Sequence, residues 1–305
     1  MTQELVSAGA AVVAGLCMAA AGVLQQKAAR SRPRGERLSL RLMRALLTNR
    51  IWLLGISSAA LSYGFQAIAL ATGPLALVQP LIVSELLFAV PVSLRLRHLR
   101  LHLRGWSSVG CVVAGLTIAI VAADPQRGEP LPSLPTWLPA LVVIAVVTIG
   151  CLAATRWTSG PWKASCYALA GACVMGLQSA FYATTIALLR EDVASTFITW
   201  QPYALIAASM LGMFLIQNAF HAGPVAASVP VIDACLPVVS IGIGIGVFHE
   251  HVRTAPVPVA LAIVGLILLL IGITTLDTSP VVRREQEIEQ REQDDAAVSS
   301  EGSHG

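Results

Sequence analysis

The stretch GPLALVQPLIVSEL, Gly73 to Leu86, returns 150 residues later as GPVAASVPVIDACL, Gly223 to Leu236. Without a gap, Ala69, Gly73, Pro74, Ala76, Pro80, Ile82 and Leu86 align with Ala219, Gly223, Pro224, Ala226, Pro230, Ile232 and Leu236. The register continues through Val109, Gly115 and Leu116 against Val259, Gly265 and Leu266. Apolar helices resemble one another by chance, but rare Pro and Gly in the same order do not recur so easily. The coincidence predicts a chain built from two related halves.

Around this block lie apolar runs of bilayer length. Hydrophobic residues make up 55% of the 305 and charged residues 12%, with a mean hydropathy of +0.72. A soluble domain carries about 25% charge. Crossing about 30 Å of hydrocarbon takes about 20 helical residues. Nine segments meet that length: 5–26, 51–72, 75–94, 106–123, 137–155, 165–189, 200–220, 225–248 and 257–276. The expected fold is an all-α integral membrane protein of about nine transmembrane helices. The first run begins MTQEL with no basic segment and ends at Lys27, so it is expected to be retained as a membrane helix. All six cysteines fall in or at the edge of these spans, where they read as apolar packing residues.

Charge sets the expected threading. With the N-terminus outside, 17 of the 20 basic residues fall on inner loops, leaving Arg127, Arg190 and Arg253 outside. That bias predicts the cytoplasmic membrane with a cytoplasmic C-terminus. The basic runs flank helix ends and need no nucleic-acid partner; the bilayer is the partner they imply. Residues 37–47 pattern as a short surface helix, with Arg37, Arg41 and Arg44 beside leucines. The segment 278–305 is polar and acidic and reads as a disordered cytoplasmic tail.

Five crossings separate equivalent points of the two copies, so the second enters from the opposite face. The expected organisation is a first repeat with a connecting helix over residues 1–156, a second, inverted repeat over 164–277, and the tail. Gly73-Pro74 and Gly223-Pro224 would then turn at opposite faces, as tight hairpins supplied by Gly and Pro. Two such bundles can exchange conformations around a site near the midplane, which implies alternating access for a small molecule or an ion.

Glu85 and Asp233 are the acids expected deep in spans, where a charge costs about 2.5 to 3.5 kcal/mol. They stand two residues apart on the repeat register. Pro80 and Pro230 precede them, each leaving a carbonyl one turn back without its helical donor. Acid plus free carbonyl is a cation or proton locus, and both acids would be the metal ligands if the cargo is a metal ion. The competing reading is a neutral acid bonded to a neighbouring helix. Gln25 and Lys27, Tyr63 and Gln66, Gln178 and Tyr182, and Asn218 could complete a site, against interhelical bonding as the alternative for each. Ser62, Phe65, Gln26 and Gln217 accompany them. The run IGIGIG, Ile241 to Gly246, has no Lys or strand context for a phosphate loop and reads as close helix packing. No catalytic triad, HExxH, CxxC or Walker pattern occurs, so neither an enzyme nor a cofactor is expected.

The chain resembles the drug/metabolite transporter superfamily, EamA-like, and most its NIPA-like branch of magnesium transporters. The resemblance is carried by GLCMAAAGVLQQKAAR, Gly15 to Arg30; YGFQAIALATGPLALVQPL, Tyr63 to Leu81; QNAFHAGPVAASVPV, Gln217 to Val231; and FHEH, Phe248 to His251. It implies nine or ten helices in an inverted repeat, a small solute as cargo, and secondary transport. The chain departs from that branch at His221, where an acid is expected, and at RHLRL, Arg97 to Leu101, in place of a Glu-containing turn. Two cargoes therefore stand open: a small metabolite or drug-like cation, and Mg²⁺ or another divalent cation. A non-transporting scaffold is the third class, and a second copy of the chain is an admissible partner.

Overall fold

A computed structural model of the chain describes residues 2–30, 49–85, 87, 88, 103–223 and 225–277. The predicted surface helix over 37–47 and the tail over 278–305 fall outside the described residues. Ten helices are present among the described residues: α1 (Thr2–Arg30), α2 (Arg50–Thr72), α3 (Leu75–Ile82), α4 (Leu103–Ala123), α5 (Leu134–Ala154), α6 (Gly160–Glu191), α7 (Val193–Thr196), α8 (Gln201–Ala222), α9 (Val225–Gly246) and α10 (Pro256–Asp277). Eight of the described helices, all except α3 and α7, are long and apolar enough to cross a membrane. The chain is an all-α, multi-pass membrane protein.

These helices are apolar on nearly every side, and their outward faces carry large exposed residues such as Leu54, Val146, Phe214 and Ile263. Lipid, not water, is the solvent that such faces suit. Contacts between helices are built instead on small residues and short polar bridges. Ser7 Oγ donates to Ala69 O at 2.9 Å and Ser62 Oγ to Ala14 O at 2.8 Å, so α1 and α2 run antiparallel. Against α8, α6 brings Gly171 to Ile216 and Met175 to Gly212, again antiparallel. A third antiparallel pair joins α4 to α10, with Val112 beside Gly272 and Ala119 beside Gly265.

The central element is α6. It packs on α8, α9 and α5 and touches α2, and its middle, from Ala168 to Thr185, is the most continuously buried stretch of the fold. Where α5 meets it, Trp137 stacks on Phe181 with ring centroids 4.9 Å apart, edge-on to Trp200 and Phe248 at 5.8 and 5.7 Å. That cluster anchors the α5 helix to both α6 and the segment after α9.

The two Gly turns lie at opposite ends of α6. Gly223 packs against Gly160, the first residue of α6. At the far end, Arg190 Nη1 donates to Ala71 O at 2.6 Å, two residues before Gly73. These turns do not use glycine for its dihedral freedom. Gly73 has φ −139° and ψ 171°, and Gly223 has φ −176°, both extended conformations that any residue adopts. Glycine is there for space: a Cβ on Gly73 would lie 2.6 Å from Ser7 Cβ, and one on Gly223 would lie 2.8 Å from Gly160 O. Pro224 lies outside the described residues.

The predicted span 75–94 begins differently from the others. Its first helix, α3, stops after eight residues at Ile82, and Val83 and Ser84 form a turn before helical backbone resumes at Glu85. Ser84 N–H donates to Leu81 O and Leu87 N–H to Ser84 O, both at 3.0 Å and both three residues back. Pro80, inside α3, removes the donor that Ala76 O would otherwise receive. This segment is a helix interrupted by a turn, buried by the rest of the chain along Leu75 to Pro80.

Candidate functional site

The turn after α3 places Glu85, and α9 places Asp233. These two elements lie side by side and antiparallel, with Gly244 near the end of α9 beside Ala76 at the start of α3. Nine residues after Ala76, beyond the turn that ends α3, and eleven back along α9 from Gly244, Glu85 and Asp233 come within electrostatic reach of one another. Both side chains are half-buried. Two carboxyls so placed repel when both are ionised, and a shared proton or cation relieves the repulsion.

Backbone oxygens add to the acids. Two prolines, Pro230 and Pro237, lie inside α9. Pro237 stands four residues after Asp233, so the carbonyl of Asp233 itself lacks its helical donor. Pro237, unlike Pro230, follows the acid, and its i+4 spacing from Asp233 is a signal already present in the sequence. On the α1 side, glycine allows close approach to the break: a Cβ on Gly15 would lie 3.1 Å from Glu85 N and from Ile82 O. Ser84 Oγ, beside Glu85 in sequence, is buried with no hydrogen-bond partner among the described residues, as are Gln79 Nε2 on α3 and Ser240 Oγ on α9. Ser240 lies seven residues from Asp233, two turns along the same face of α9. Carboxyls, free carbonyl and hydroxyl oxygens together make a locus suited to positive charge.

The other polar residues singled out from sequence divide. Tyr182 Oη donates to Tyr63 O at 2.9 Å, and their rings meet edge to face at 6.3 Å. This pair ties α6 to α2, and the Tyr63 side chain is exposed. Ser62 bonds to α1, as described above, and Asn218 Nδ2 donates to Phe214 O in its own helix at 2.8 Å. Interhelical or intrahelical bonding thus accounts for Ser62, Tyr182 and Asn218. Gln66 and Gln178 are half-buried on α2 and α6. Gln25 and Lys27 stand on the last turns of α1, and their side chains lie outside the described residues. No group of three His, Cys, Asp or Glu positioned for a metal ion occurs among the described residues.

A third buried acid, Glu250, sits at the Gly73 end and was noticed in the sequence only as part of FHEH. It is 6% exposed and lies in the segment between α9 and α10. Its carboxyl accepts the backbone N–H of Leu75 and, at 2.9 Å, that of Ala76. Those are the first two residues of α3, whose N-cap, Pro74, offers no side-chain acceptor. Burial pushes the Glu250 carboxyl up to about 7, against the opposing pull of the two N–H groups and of Arg127. Arg127 in turn is lowered from its usual range by burial and by the neighbouring Arg190. Both guanidiniums donate to Ala71 O at 2.6 Å, at the carbonyl end of α2.

No family model matches the chain, and no solved structure matches it. It is 30% identical over 244 residues to an uncharacterized protein of Corynebacterium glutamicum, an alignment covering 79% of this chain and 83% of that protein. The chain belongs to the family of that corynebacterial protein.

Proposed function

We propose that this chain, as a member of that family, is a secondary transporter of the cytoplasmic membrane that moves a small cationic metabolite or drug-like solute by alternating access. Glu85 and Asp233 bind the positive charge or exchange it for protons. The observation that carries this reading is the pairing of the two acids across a broken helix and its proline-bearing neighbour, one acid from each half of the sequence repeat. A charged pair inside spans is costly to insert and is not needed for packing.

The reading includes an inverted repeat in which α1, α2, α3 and α4 correspond to α6, α8, α9 and α10, with α5 as the connection. Three features support it. Equivalent helices make equivalent pairs, α1 with α2 and α6 with α8. The self-equivalent pairs α4 with α10 and α3 with α9 run antiparallel, as two copies threaded in opposite senses must. The Gly73 and Gly223 turns stand at opposite ends of α6. The positive-inside bias places the Gly73 end outside and both the Gly223 turn and the C-terminus in the cytoplasm. Likeness to the drug/metabolite transporter superfamily in GLCMAAAGVLQQKAAR and the Gly-Pro blocks points the same way.

Divalent-cation transport is the second reading, favoured by the free Asp233 carbonyl, which adds a third hard oxygen to two carboxyls; Mg²⁺ keeps several of its waters and needs few protein ligands. Reconstituted flux of radiolabelled solutes and metals decides between them. Uptake of an organic cation, driven by a proton gradient and abolished in Glu85→Gln and Asp233→Asn, supports the carrier. Metal flux indifferent to organic competitors supports the second reading. Absence of both removes the transporter assignment.

A further inference from the structure

We infer that Glu250 is a latch, a positioning residue that holds the turn between α2 and α3 closed against the second half of the chain and so shuts the Gly73 end of the bundle. Its purpose rests on the transporter reading; its contacts do not. Both helix ends at this turn are captured by residues that lie far downstream in sequence. Arg127 and Arg190 take the carbonyl end of α2, at Ala71. Glu250 takes the amide end of α3, at Leu75 and Ala76.

The captors stand on a stitched base. Gln126 N–H donates to His251 O at 2.7 Å and His251 N–H to Gln126 O at 3.1 Å. Glu129 N–H donates to Phe248 O at 2.6 Å, and Arg253 N–H to Ala123 O at 2.9 Å. Val247 and Phe248 are buried, with Phe248 against Trp137. Gly244 completes the arrangement, because a Cβ there would lie 3.0 Å from Glu250 Cδ, in the space the carboxyl uses to reach Ala76. A cleft lined by Leu70, Gly73, Leu75, Arg127, Phe248 and Glu250 runs along the contact.

The latch belongs to one end of the molecule by residue type. On the repeat register the position equivalent to Glu250 is Arg100, a cation that cannot accept N–H bonds. Opening at the Gly73 end must break the Glu250 contact, leaving two amides of α3 to water, whereas the repeat supplies no matching acid for the Gly223 end. The acid of this contact therefore has no counterpart at the equivalent position of the sequence repeat.

The test uses Leu75→Cys in the full chain, reconstituted in liposomes, and a membrane-impermeant thiol reagent. Leu75 is 2% exposed. Adding Glu250→Ala, or separately Gly244→Ala, is expected to raise labelling at position 75 about tenfold, as loss of a buried double hydrogen bond would. Glu250→Gln keeps an acceptor oxygen and is expected to preserve most of the protection. Leu269→Cys, at a position 0% exposed between α4 and α10, reports unfolding and is expected to stay unreactive. Unchanged labelling at 75 in both alanine variants overturns the latch, as does labelling that rises only together with that at position 269. Raised labelling in a protein that moves no solute or metal upholds the latch and removes the transporter reading.

Discussion

Gly115 and Gly265, 150 residues apart and equivalent in the sequence repeat, approach each other reciprocally. A Cβ on Gly115 would lie 2.7 Å from Gly265 O, and a Cβ on Gly265 would lie 2.8 Å from Gly115 O. Their further neighbours, Leu269 and Ala119, are again 150 residues apart. Residue i meeting j while j's equivalent meets i's is the pattern that the proposed two-fold relation of the halves requires. Backbone on both sides leaves no room to yield. Gly115→Ala and Gly265→Ala are therefore expected to destabilise the protein by similar amounts, about 1 to 3 kcal/mol each. Thermal unfolding in detergent measures this, with Gly110→Ala, which faces open space on the same helix, as the nearly neutral control.

The acid pair sets the second expectation. Glu85→Gln and Asp233→Asn should each lower coupled flux at least about tenfold, the scale of losing one charge partner at a binding site. Flux assayed from pH 5.5 to 8 checks it. Full activity in both variants across that range would leave coupling without its residues.

At the first Gly turn, space rather than dihedral freedom is at stake. Gly73→Ala is expected to destabilise the fold by driving its methyl into Ser7, and Ser7→Gly in the same chain is expected to recover most of the loss. Unfolding midpoints of the three variants measure the coupling. No recovery in the double variant would mean that the turn itself demands glycine.

Threading can be read directly. Thr72→Cys and Ala222→Cys, each beside a Gly turn, are expected to react with an impermeant thiol reagent from opposite sides of the membrane. Reaction of both from the same side would falsify the inverted repeat.

Glu250 adds a pH dependence whose sign follows from linkage. In the latched form its carboxyl is raised to about 7, while an ordinary solvated carboxyl titrates near 4.5. The latched form therefore binds the proton more tightly, so the stability of closure is fully present below 4.5 and falls as pH rises through 7. A protonated carboxyl still accepts N–H bonds with its remaining lone pairs. The facing charges are Arg127 and, beyond it, Arg190, with Glu129 on the rim of the cleft; α3 and α9 present backbone and Gly244 there. Labelling at Leu75→Cys, expressed relative to Ile198→Cys on the 87% exposed Ile198, should rise between pH 5.5 and 8. A fall over that interval would contradict the assignment.

Much of the fold was legible because its signals are local. Apolar runs of bilayer length placed the eight long described helices to within a few residues, and the Gly-Pro block marked both turns. The place of the break after Ile82 was not legible: a run such as LIVSELLF is apolar enough to continue as helix, and Pro80 alone does not fix where the backbone turns. Glu85 and Asp233 stood out because nothing in a bilayer excuses an acid. Glu250 did not, since it lies between helices where an acid is commonplace. Its partners are 174 and 175 residues away and are backbone amides, which carry no residue-type signal. Arg127 and Arg190 were hidden likewise, because positive-inside counting treats them as leftovers and their acceptor is a carbonyl. Tyr63 and Tyr182 meet each other between α2 and α6, a contact that helical spacing alone cannot distinguish from a shared cavity face.

The 32 residues of α6 make a rod about 48 Å long, set against about 30 Å of hydrocarbon. A rod that outreaches its solvent must lean or protrude, and the lean grows as the lipid layer thins. Because Gly160 abuts one Gly turn and Arg190 grips the other, tilting this lever displaces the two turns in opposite directions. A change in the thickness of the lipid layer would therefore reach both Gly turns through this single helix.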